Sequence, residues 1–374
     1  MEILPSPMTL ACAIAQNAVR LSQPNPRVGC VITDAQGQIL GQGHTQRAGG
    51  PHAEVMALRD AAEKGNTVEG ATAYVTLEPC AHQGRTGPCC DALITAGIRK
   101  VVAAIADPNP LVAGLGFARL RAAGVNVEIG SGATESRELN IGFFSRMVRK
   151  TPWVRMKIAA TLDGKTALPD GRSQWITGLD SRTDGHAWRA RACAVLTGIG
   201  TVRQDQPRLD VRLVDTPRQP HLVIVDSMLE TPLDAPLFIA GRAVFIYAAV
   251  PNDARKSALE AQGATVLYLP GPVSRPGAQP KVDLSAMLRD LARREVNELH
   301  VEAGEKLNGS LVWEGLVDEF LVYLAPKIMG QGLGMAAFGP LAQLSDALTL
   351  EFKSAEPCGP DLRVLARVAG RDQF

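Results

Sequence analysis

Long apolar runs are missing from this chain of 374 residues. No stretch reaches the ~18 consecutive apolar residues that a transmembrane helix needs, so we predict none. The apolar run from Met8 to Ala15 follows Glu2 and no basic segment, so we expect no signal peptide. Internal repeats and low-complexity tracts are also lacking. These absences predict a cytoplasmic globular protein with no membrane partner.

A surplus of charge of one sign is lacking too, because 39 basic side chains stand against 38 acidic ones. A protein that binds a nucleic-acid backbone generally concentrates basic residues on one face. Single-stranded nucleic acid also needs aromatic stacking surfaces, and aromatic residues make up only 5% of the chain. The composition therefore argues against a nucleic-acid partner. It still allows a small phosphorylated ligand, for which a few well-placed cations suffice.

The length favours two domains, because a single hydrophobic core seldom serves more than about 300 residues. Basic residues Arg146, Arg149 and Lys150, followed by Pro152, mark the predicted boundary between domains 1–148 and 149–374. In the first domain, strands alternate with helices, which predicts a three-layer α/β/α fold. We predict strands at 28–33, 39–44, 71–77, 101–106 and 125–129, and helices at 9–21, 53–64, 88–96, 117–123 and 135–148.

The second domain also alternates between strand and helix patterns, which predicts another α/β fold. Its predicted strands are 153–160, 194–199, 222–226, 243–248, 265–269, 299–302 and 319–324, and its predicted helices are 183–191, 254–262, 284–294 and 306–314.

Cysteine is scarce and unevenly placed. The chain has seven cysteines, and three of them crowd together as Cys80, Cys89 and Cys90. In a chain of this size without a secretory signal, such a cluster favours a metal site over disulfides. The remaining four are expected to be small buried hydrophobic residues; they are Cys12, Cys30, Cys193 and Cys358.

The motif around His52 predicts the chemistry of the first domain. One imidazole, from His52, and two thiolates, from Cys80 and Cys89, suit a tetrahedral zinc ion with an open fourth position. Such an ion lowers the pKa of bound water toward neutrality. Glu54 is then placed to carry protons to a ring nitrogen and a leaving amine. The pattern indicates hydrolytic deamination of a nitrogen heterocycle, although eight residues separate the two cysteines where zinc deaminases generally have two.

Three alternatives remain open from these residues. The zinc site could be closed and structural, with Cys90 or His82 as the fourth ligand. The chain could be a nucleic-acid base deaminase with an accessory domain, or a non-enzymatic nucleotide sensor with a structural zinc. In the second domain, Val301–Ser310 and Gly198–Val202 each place a glycine turn after a strand, which can cradle a pyrophosphate but can equally be ordinary helix capping.

The motifs of the first domain resemble the deaminase half of the bifunctional riboflavin-biosynthesis deaminase/reductase family. They are Pro24–Gly29 (PNPRVG), Pro51–Glu54 (PHAE) and Thr76–Cys89 (TLEPCAHQGRTGPC). The resemblance implies a cytidine-deaminase-like fold and explains the long loop between the cysteines, beside which a phosphoribosyl arm is expected. Arg27 and Arg85 are candidates for phosphate contact by charge. Gln83 and Gly87 stand where the family often has histidine and proline.

The second domain resembles the reductase half of the same family through Lys157–Lys165, Ser173–Thr177, Gly200–Arg212, Val225–Ser227 and Glu302–Ser310. The resemblance implies a dihydrofolate-reductase-like fold that binds NADPH, reduction of an opened ribosyl group to ribityl, and a homodimer or higher homo-oligomer. The residues implied to contact NADPH are Ala159, Trp175, Thr201, Asp205, Ser227, Gly304, Glu305, Lys306, Leu307, Asn308, Gly309 and Ser310. Those implied to hold the substrate are Ser173, Arg189, Leu209, Arg212 and Glu302. Arg189 and Arg212 suit phosphate, because guanidinium can bind it with two hydrogen bonds.

Overall fold

A computed structural model gives the structure of the chain and describes residues 5–82, 87–110, 112–273 and 279–374. The chain forms two compact units, Met1–Lys150 with Phe374, and Thr151–Gln373. Among the described residues, no helix combines the length and the apolar character needed to cross a bilayer.

The first unit is built on a five-stranded sheet within the described residues, in the order β2-β1-β3-β4-β5. Strand β1 runs antiparallel to β2 and β3, whereas β3, β4 and β5 are parallel. The strands are β1 Gly29–Thr33, β2 Ile39–His44, β3 Thr72–Val75, β4 Lys100–Ala103 and β5 Asn126–Ile129. The helices are α1 Pro7–Ala15, α2 Ala53–Glu63, α3 Cys89–Thr95, α4 Leu115–Ala122, α5 Ala133–Leu139 and α6 Ile141–Arg149.

Successive side chains of β1 point to opposite faces of this sheet, and each face has its own apolar cluster. Val31 packs with Met8 and Ala11 of α1 on one face. Ile32 packs on the other face with Ala57 of α2, together with side chains of α3 and α4. Helices therefore cover both faces, and the prediction of a three-layer α/β/α first domain is confirmed.

Two glycines of β2 let α2 lie unusually close to the sheet. A Cβ atom on Gly41 would lie 2.3 Å from the carbonyl oxygen of Ala57, and one on Gly43 would lie 2.5 Å from the amide nitrogen of Ala57. Only glycine fits at both positions, because the helix backbone occupies the space of a side chain. This contact fixes the position of α2 and so of His52 at its N-terminus.

The single helix predicted at 135–148 is wrong, because the chain breaks at Asn140 into α5 and α6. The Asn140 side chain accepts a hydrogen bond from the Arg27 amide at 2.7 Å and donates one to the Arg27 carbonyl at 2.9 Å. Asparagine side chains often replace local helical hydrogen bonding in this way. The helix is therefore interrupted at Asn140, whose side chain binds the backbone of Arg27, a residue distant in sequence.

The second unit contains a nine-stranded sheet in the order β10-β9-β8-β7-β11-β6-β12-β14-β13 among the described residues. In this spatial order, every strand from β10 through β12 runs parallel to its neighbours, and β14 and β13 add an antiparallel hairpin at one edge. The strands are β6 Trp153–Thr161, β7 Ala194–Gly198, β8 His221–Val225, β9 Val244–Ala248, β10 Ala264–Tyr268, β11 Glu298–Val301, β12 Glu319–Ala325, β13 Leu350–Cys358 and β14 Asp361–Val368. The helices are α7 Leu179–Arg191, α8 Ile199–Asp205, α9 Asp253–Ala261, α10 Leu284–Arg293 and α11 Glu305–Trp313.

Candidate active sites

His52, Cys80 and Cys89 converge at one point of the first unit. His52 is the N-cap residue of α2, Cys89 is the first residue of α3, and Cys80 lies in the segment after β3. His52 Nδ1 lies 3.2 Å from Cys89 Sγ and 3.6 Å from Cys80 Sγ. The three candidate ligand atoms all lie within 4.8 Å of one another. The sequence-predicted ligands are therefore within reach of one metal ion.

The donor set fits zinc with an open position better than a closed structural site. The Cys90 thiol turns away and donates to the carbonyl of Pro79 at 3.2 Å, so it offers no fourth ligand. His82 is exposed and is not in the group of ligands that the described residues bring together. One imidazole and two thiolates leave one tetrahedral position for solvent or substrate.

Hydrogen bonds in this cluster already prepare it for a cation. A hydrogen bond from the Cys89 thiol lowers the pKa of Cys80 to about 4, with His52 and the Cys89 amide contributing against the effect of burial. The same hydrogen bond, together with burial, raises the pKa of Cys89. The pair therefore keeps one thiolate before a metal binds, and a cation would favour ionisation of the second.

Glu54 lies in the first turn of α2 and is only 3% exposed. Burial, assisted by the charge on Cys80, raises the pKa of its carboxyl to about 7, and His52 opposes that shift. A carboxyl group with a pKa near neutrality can both accept and donate a proton. The geometry and the protonation chemistry both suit a proton carrier beside the cysteines.

The interpretation of Arg27 as a phosphate contact is wrong. Arg27 is only 4% exposed, and its guanidinium donates to the carbonyl of Leu139 at 2.7 Å. The side chain therefore ties the loop before β1 to the end of α5. Gln83 and Arg85 lie outside the described residues, whereas Gly87 is described and exposed.

The second unit holds a cavity of about 1190 Å³ at the carboxyl ends of its parallel strands. Ligands of open α/β sheets generally bind at this edge. All five predicted substrate residues line the cavity, as do all the predicted NADPH residues except Gly309. A Cβ atom on Gly309 would lie 1.9 Å from the carbonyl oxygen of Ala337, so this glycine allows a close backbone approach away from the cavity.

The glycine turn before α11 fits a pyrophosphate. Gly304 is the N-cap residue, and no side chain of the described residues caps the helix there. The first-turn amides therefore retain the positive field that binds anions at helix N-termini. The side chains of the turn have other partners, because Glu305 accepts from the Gly334 amide at 2.9 Å and Asn308 donates to the Met335 carbonyl at 2.9 Å. They brace the neighbouring segment while the backbone faces the cavity.

Arg189 is less suited to phosphate than its charge suggests. Two of its guanidinium nitrogens donate to the two carboxylate oxygens of Glu302, and a third donates to the carbonyl of Asp210 at 2.9 Å. Although burial raises the pKa of Glu302, the charge of Arg189 lowers it well below its usual range. Arg212 is half-exposed and is the better candidate for phosphate contact.

Lys157 is a site residue whose individual role sequence reasoning missed. It lines the cavity, its Nζ lies 3.8 Å from Glu302 Oε2, and burial lowers its pKa. A lysine inside a strand pattern gives no signal in the sequence. Only the neighbouring positions of β6 and β11 bring it to Glu302.

Comparison with known families divides the chain in the same way. Residues 1–105 match the family described as "Cytidine and deoxycytidylate deaminase zinc-binding region". Residues 152–364 match the "RibD C-terminal domain".

Similar proteins extend over nearly the whole chain. The riboflavin biosynthesis protein RibD of Aquifex aeolicus is 42% identical over 96% of this chain and 97% of its own length, and that of Escherichia coli is 41% identical over 95% and 96%. Among solved structures, Acinetobacter baumannii RibD has a TM-score of 0.87 at 37% identity, covering 97% of this chain and 98% of its own. The Thermotoga maritima diaminohydroxyphosphoribosylaminopyrimidine deaminase/5-amino-6-(5-phosphoribosylamino)uracil reductase has a TM-score of 0.83 at 31% identity, with the same two coverages.

Proposed function

Because this chain belongs to the RibD family of bifunctional riboflavin-biosynthesis enzymes, we propose that residues 1–148 carry its deaminase activity and residues 149–374 its reductase activity. The protein is a zinc-dependent deaminase, hence a hydrolase, and an NADPH-dependent reductase, hence an oxidoreductase. Its substrate is a small pyrimidine.

The reaction sequence starts from 2,5-diamino-6-(5-phosphoribosylamino)pyrimidin-4(3H)-one. Water replaces the ring amino group, which leaves as ammonia, and the product is a pyrimidinedione. In the second step a hydride from NADPH and a proton would reduce the ribosyl carbon of the opened sugar, which gives the ribityl chain. The Thermotoga maritima relative is named for both activities in one chain, and this supports their pairing here.

Glu54 beside His52, Cys80 and Cys89 is the observation that carries the deaminase assignment. Zinc held by these three residues would lower the pKa of a water molecule and so supply the nucleophile. Glu54 would accept a proton from the attacking water and return protons to the ring nitrogen and the departing amine. Its burial keeps bulk water from competing for that proton.

The cavity of the second unit supports the reductase assignment. The backbone turn at Gly304 holds the pyrophosphate of NADPH, and Arg212 holds the phosphate of the substrate. Arg189 orients the Glu302 carboxylate at the substrate side of the cavity. The cofactor supplies the hydride, and the protein orients it toward the ribosyl carbon.

The decisive experiment supplies the purified, zinc-replete protein with the diaminopyrimidine nucleotide and NADPH. We expect ammonia release with the nucleotide alone, and NADPH oxidation only after deamination has occurred. Absence of both signals would refute the proposal. NADPH oxidation without ammonia release would refute the order of the two steps.

We also propose a homodimer that forms through the second unit. Strand β13 ends the sheet, and its residues are almost all exposed. Phe352 is 77% exposed and Leu344 is 92% exposed, beside the half-exposed Leu348 and Leu350. An exposed edge strand with apolar side chains favours association with another chain. A second copy can cover this surface by presenting the same surface in return.

Sedimentation analysis of Phe352→Asp tests the dimer. We expect the wild-type protein to sediment as a dimer and the variant as a monomer. Ile129→Asp is the matched control, because Ile129 is also an exposed apolar residue on an edge strand but lies in the first unit. A monomeric wild type, or equal effects of the two substitutions, would overturn the proposal.

We place the protein in the cytoplasm. All seven cysteines fall within the described ranges, and none of them is paired in a disulfide. Cysteines persist as thiols in reducing compartments. Fractionation of the native host with an antibody to the chain tests this location.

A further inference from the structure

Glu78 is a buried carboxylate with no part in the proton transfers described above. It is 4% exposed and precedes Cys80 by two residues. Its Oε2 accepts hydrogen bonds from the amides of Asp107 at 3.1 Å and Gly114 at 3.0 Å. Its Oε1 accepts from the amides of Gly116 at 2.9 Å and Phe117 at 3.4 Å. One side chain thus binds the amide of Asp107 together with the cap and first turn of α4.

The negative charge of Glu78 is balanced by backbone dipoles. Three of the four amides belong to the cap and first turn of α4, where a carboxylate is stabilised by the helix dipole. Across the described part of the chain, no basic side chain forms an ion pair with Glu78. When a buried charge is stabilised only by hydrogen bonds from amides, the loss of any one of them is destabilising, because the desolvation cost of the charge is then less well compensated.

The same contacts reach Cys80 through the backbone. A Cβ atom on Gly116 would lie 2.0 Å from the carbonyl oxygen of Pro79, so α4 rests directly on the peptide that leads into Cys80. The Cys90 thiol donates to that same Pro79 carbonyl, and the Cys90 amide donates to the carbonyl of Cys80 at 3.2 Å. The segment before Cys80 is therefore held between α4 and α3.

We propose that Glu78 is a positioning residue, which fixes Cys80 relative to His52 and Cys89 by clamping the N-terminus of α4 onto the Glu78–Cys80 segment. The inference rests on the proposed zinc-dependent deamination. It adds a determinant of metal affinity that acts through the backbone and touches neither the metal ligands' side chains nor the substrate. Groups that orient metal ligands commonly alter metal affinity when they are removed.

The test compares zinc affinity in Glu78→Gln and the wild type, measured by competition with a chromogenic chelator. Glutamine keeps the shape but offers one acceptor oxygen, and its amide group points donors at amides that are themselves donors. We expect zinc affinity to fall about 10- to 100-fold, the usual consequence of losing a group that orients a ligand. Asp91→Asn is the matched control, because Asp91 follows Cys89 by two residues but is an exposed carboxylate paired with Arg119.

Hydrogen exchange in the zinc-free protein provides a readout that does not depend on the metal. We expect the amides of Asp107, Gly114, Gly116 and Phe117 to exchange faster in Glu78→Gln, while strands β1, β3 and β4 stay protected. If those strands also lose protection, Glu78→Asp replaces it, since that variant keeps the carboxylate but shortens its reach, and intermediate zinc affinity is expected. Unchanged zinc affinity in the Gln variant, or an equal loss in Asp91→Asn, would overturn the proposal. Wild-type deamination is assayed alongside, so failure of the proposed function is seen separately.

Discussion

The two sites of this protein are built in opposite ways. The proposed zinc site takes its ligands and its proton carrier from the stretch between His52 and Cys89, and it depends on the chemistry of those side chains. The reductase cavity gathers residues from Lys157 to Leu333, which come from several strands, helices and loops. The chemistry of the first site can be argued from a few residue types, whereas the second site was predicted through a family resemblance and its cavity becomes visible only in the folded chain.

The largest effect that we expect comes from the adjacent pair Cys89 and Cys90. Cys89→Ser removes a metal ligand, so zinc binding and deamination should be lost while reduction of the deaminated substrate continues. Cys90→Ser should retain stoichiometric zinc, because that thiol bonds to backbone carbonyls. Zinc content by atomic absorption and assays of both activities check this. Loss of reduction in Cys89→Ser would show that the two sites are not independent.

Replacement of Glu54 should separate chemistry from metal binding within the first site. Glu54→Gln keeps the size of the side chain but cannot carry a proton, so deamination should fall by about 10²- to 10⁴-fold. Zinc content and reduction should stay at wild-type values. Steady-state ammonia release measures the first and NADPH oxidation the last. Deamination at near wild-type rates in a zinc-loaded variant would exclude Glu54 as the proton carrier.

Two arginines that form ion pairs with Asp210 allow a test of the proposed phosphate contact in the second site. Arg212 and Arg208 lie 2.6 Å and 2.9 Å from the oxygens of Asp210, and both line the cavity. If Arg212 holds the substrate phosphate, Arg212→Gln should raise KM for the deaminated nucleotide by about 10- to 100-fold, the value of a charge-assisted hydrogen bond. Arg208→Gln should change it much less. Equal effects would point to Asp210 itself and not to phosphate contact.

The smallest effect concerns stability and should be confined to the second unit. Burial, with the charges of Arg189 and Arg212, lowers the pKa of His186 to about 4, against opposition from Glu302 and Asp210. Between that value and the unfolded pKa of about 6.5, the unfolded chain binds more protons. The free energy of unfolding should therefore decrease as pH falls through this window, by up to about 3 kcal/mol.

Urea unfolding at several pH values, followed by tryptophan fluorescence, measures this slope. All four tryptophans, at 153, 175, 188 and 313, lie in the second unit, so the signal reports that unit alone. His186→Gln should lack the His186 part of the slope. Parallel pH curves for the variant and the wild type would contradict the prediction.

The secondary structure of both units could be predicted largely from sequence periodicity, and the α/β fold of each domain is confirmed. The cluster of His52, Cys80 and Cys89 could also be predicted, because few residue types bind zinc and the motifs that carry these three residues are short and distinctive. The hairpin of β13 and β14 was not predicted. In strand β13 the apolar alternation is limited to Leu350 and Phe352, and Pro357 lies near its end, so the pattern is too short and interrupted to mark a strand.

Sequence reasoning is least informative where a residue serves a contact distant in sequence. Arg27 has the charge for phosphate binding, but its backbone is hydrogen-bonded to the Asn140 side chain and its guanidinium to the carbonyl of Leu139. Gly309, which the family resemblance assigns to NADPH, lies within α11 outside the cavity lining, and its missing side chain admits the backbone of Ala337. Neither outcome follows from residue type or local spacing, because the partner is brought close only by the tertiary fold.

The hydrogen bonds between Asn140 and Arg27 also limit where the chain can be divided. Ser136 adds a hydrogen bond to the carbonyl of Thr76. Helix α5 and the break after it therefore hold the backbone just before β1 and the backbone just after β3. A separated deaminase that ended soon after residue 105, where the zinc-binding family match stops, would lose these bonds. We therefore expect a deaminase unit that folds on its own to extend through α6, whose last residue is Arg149.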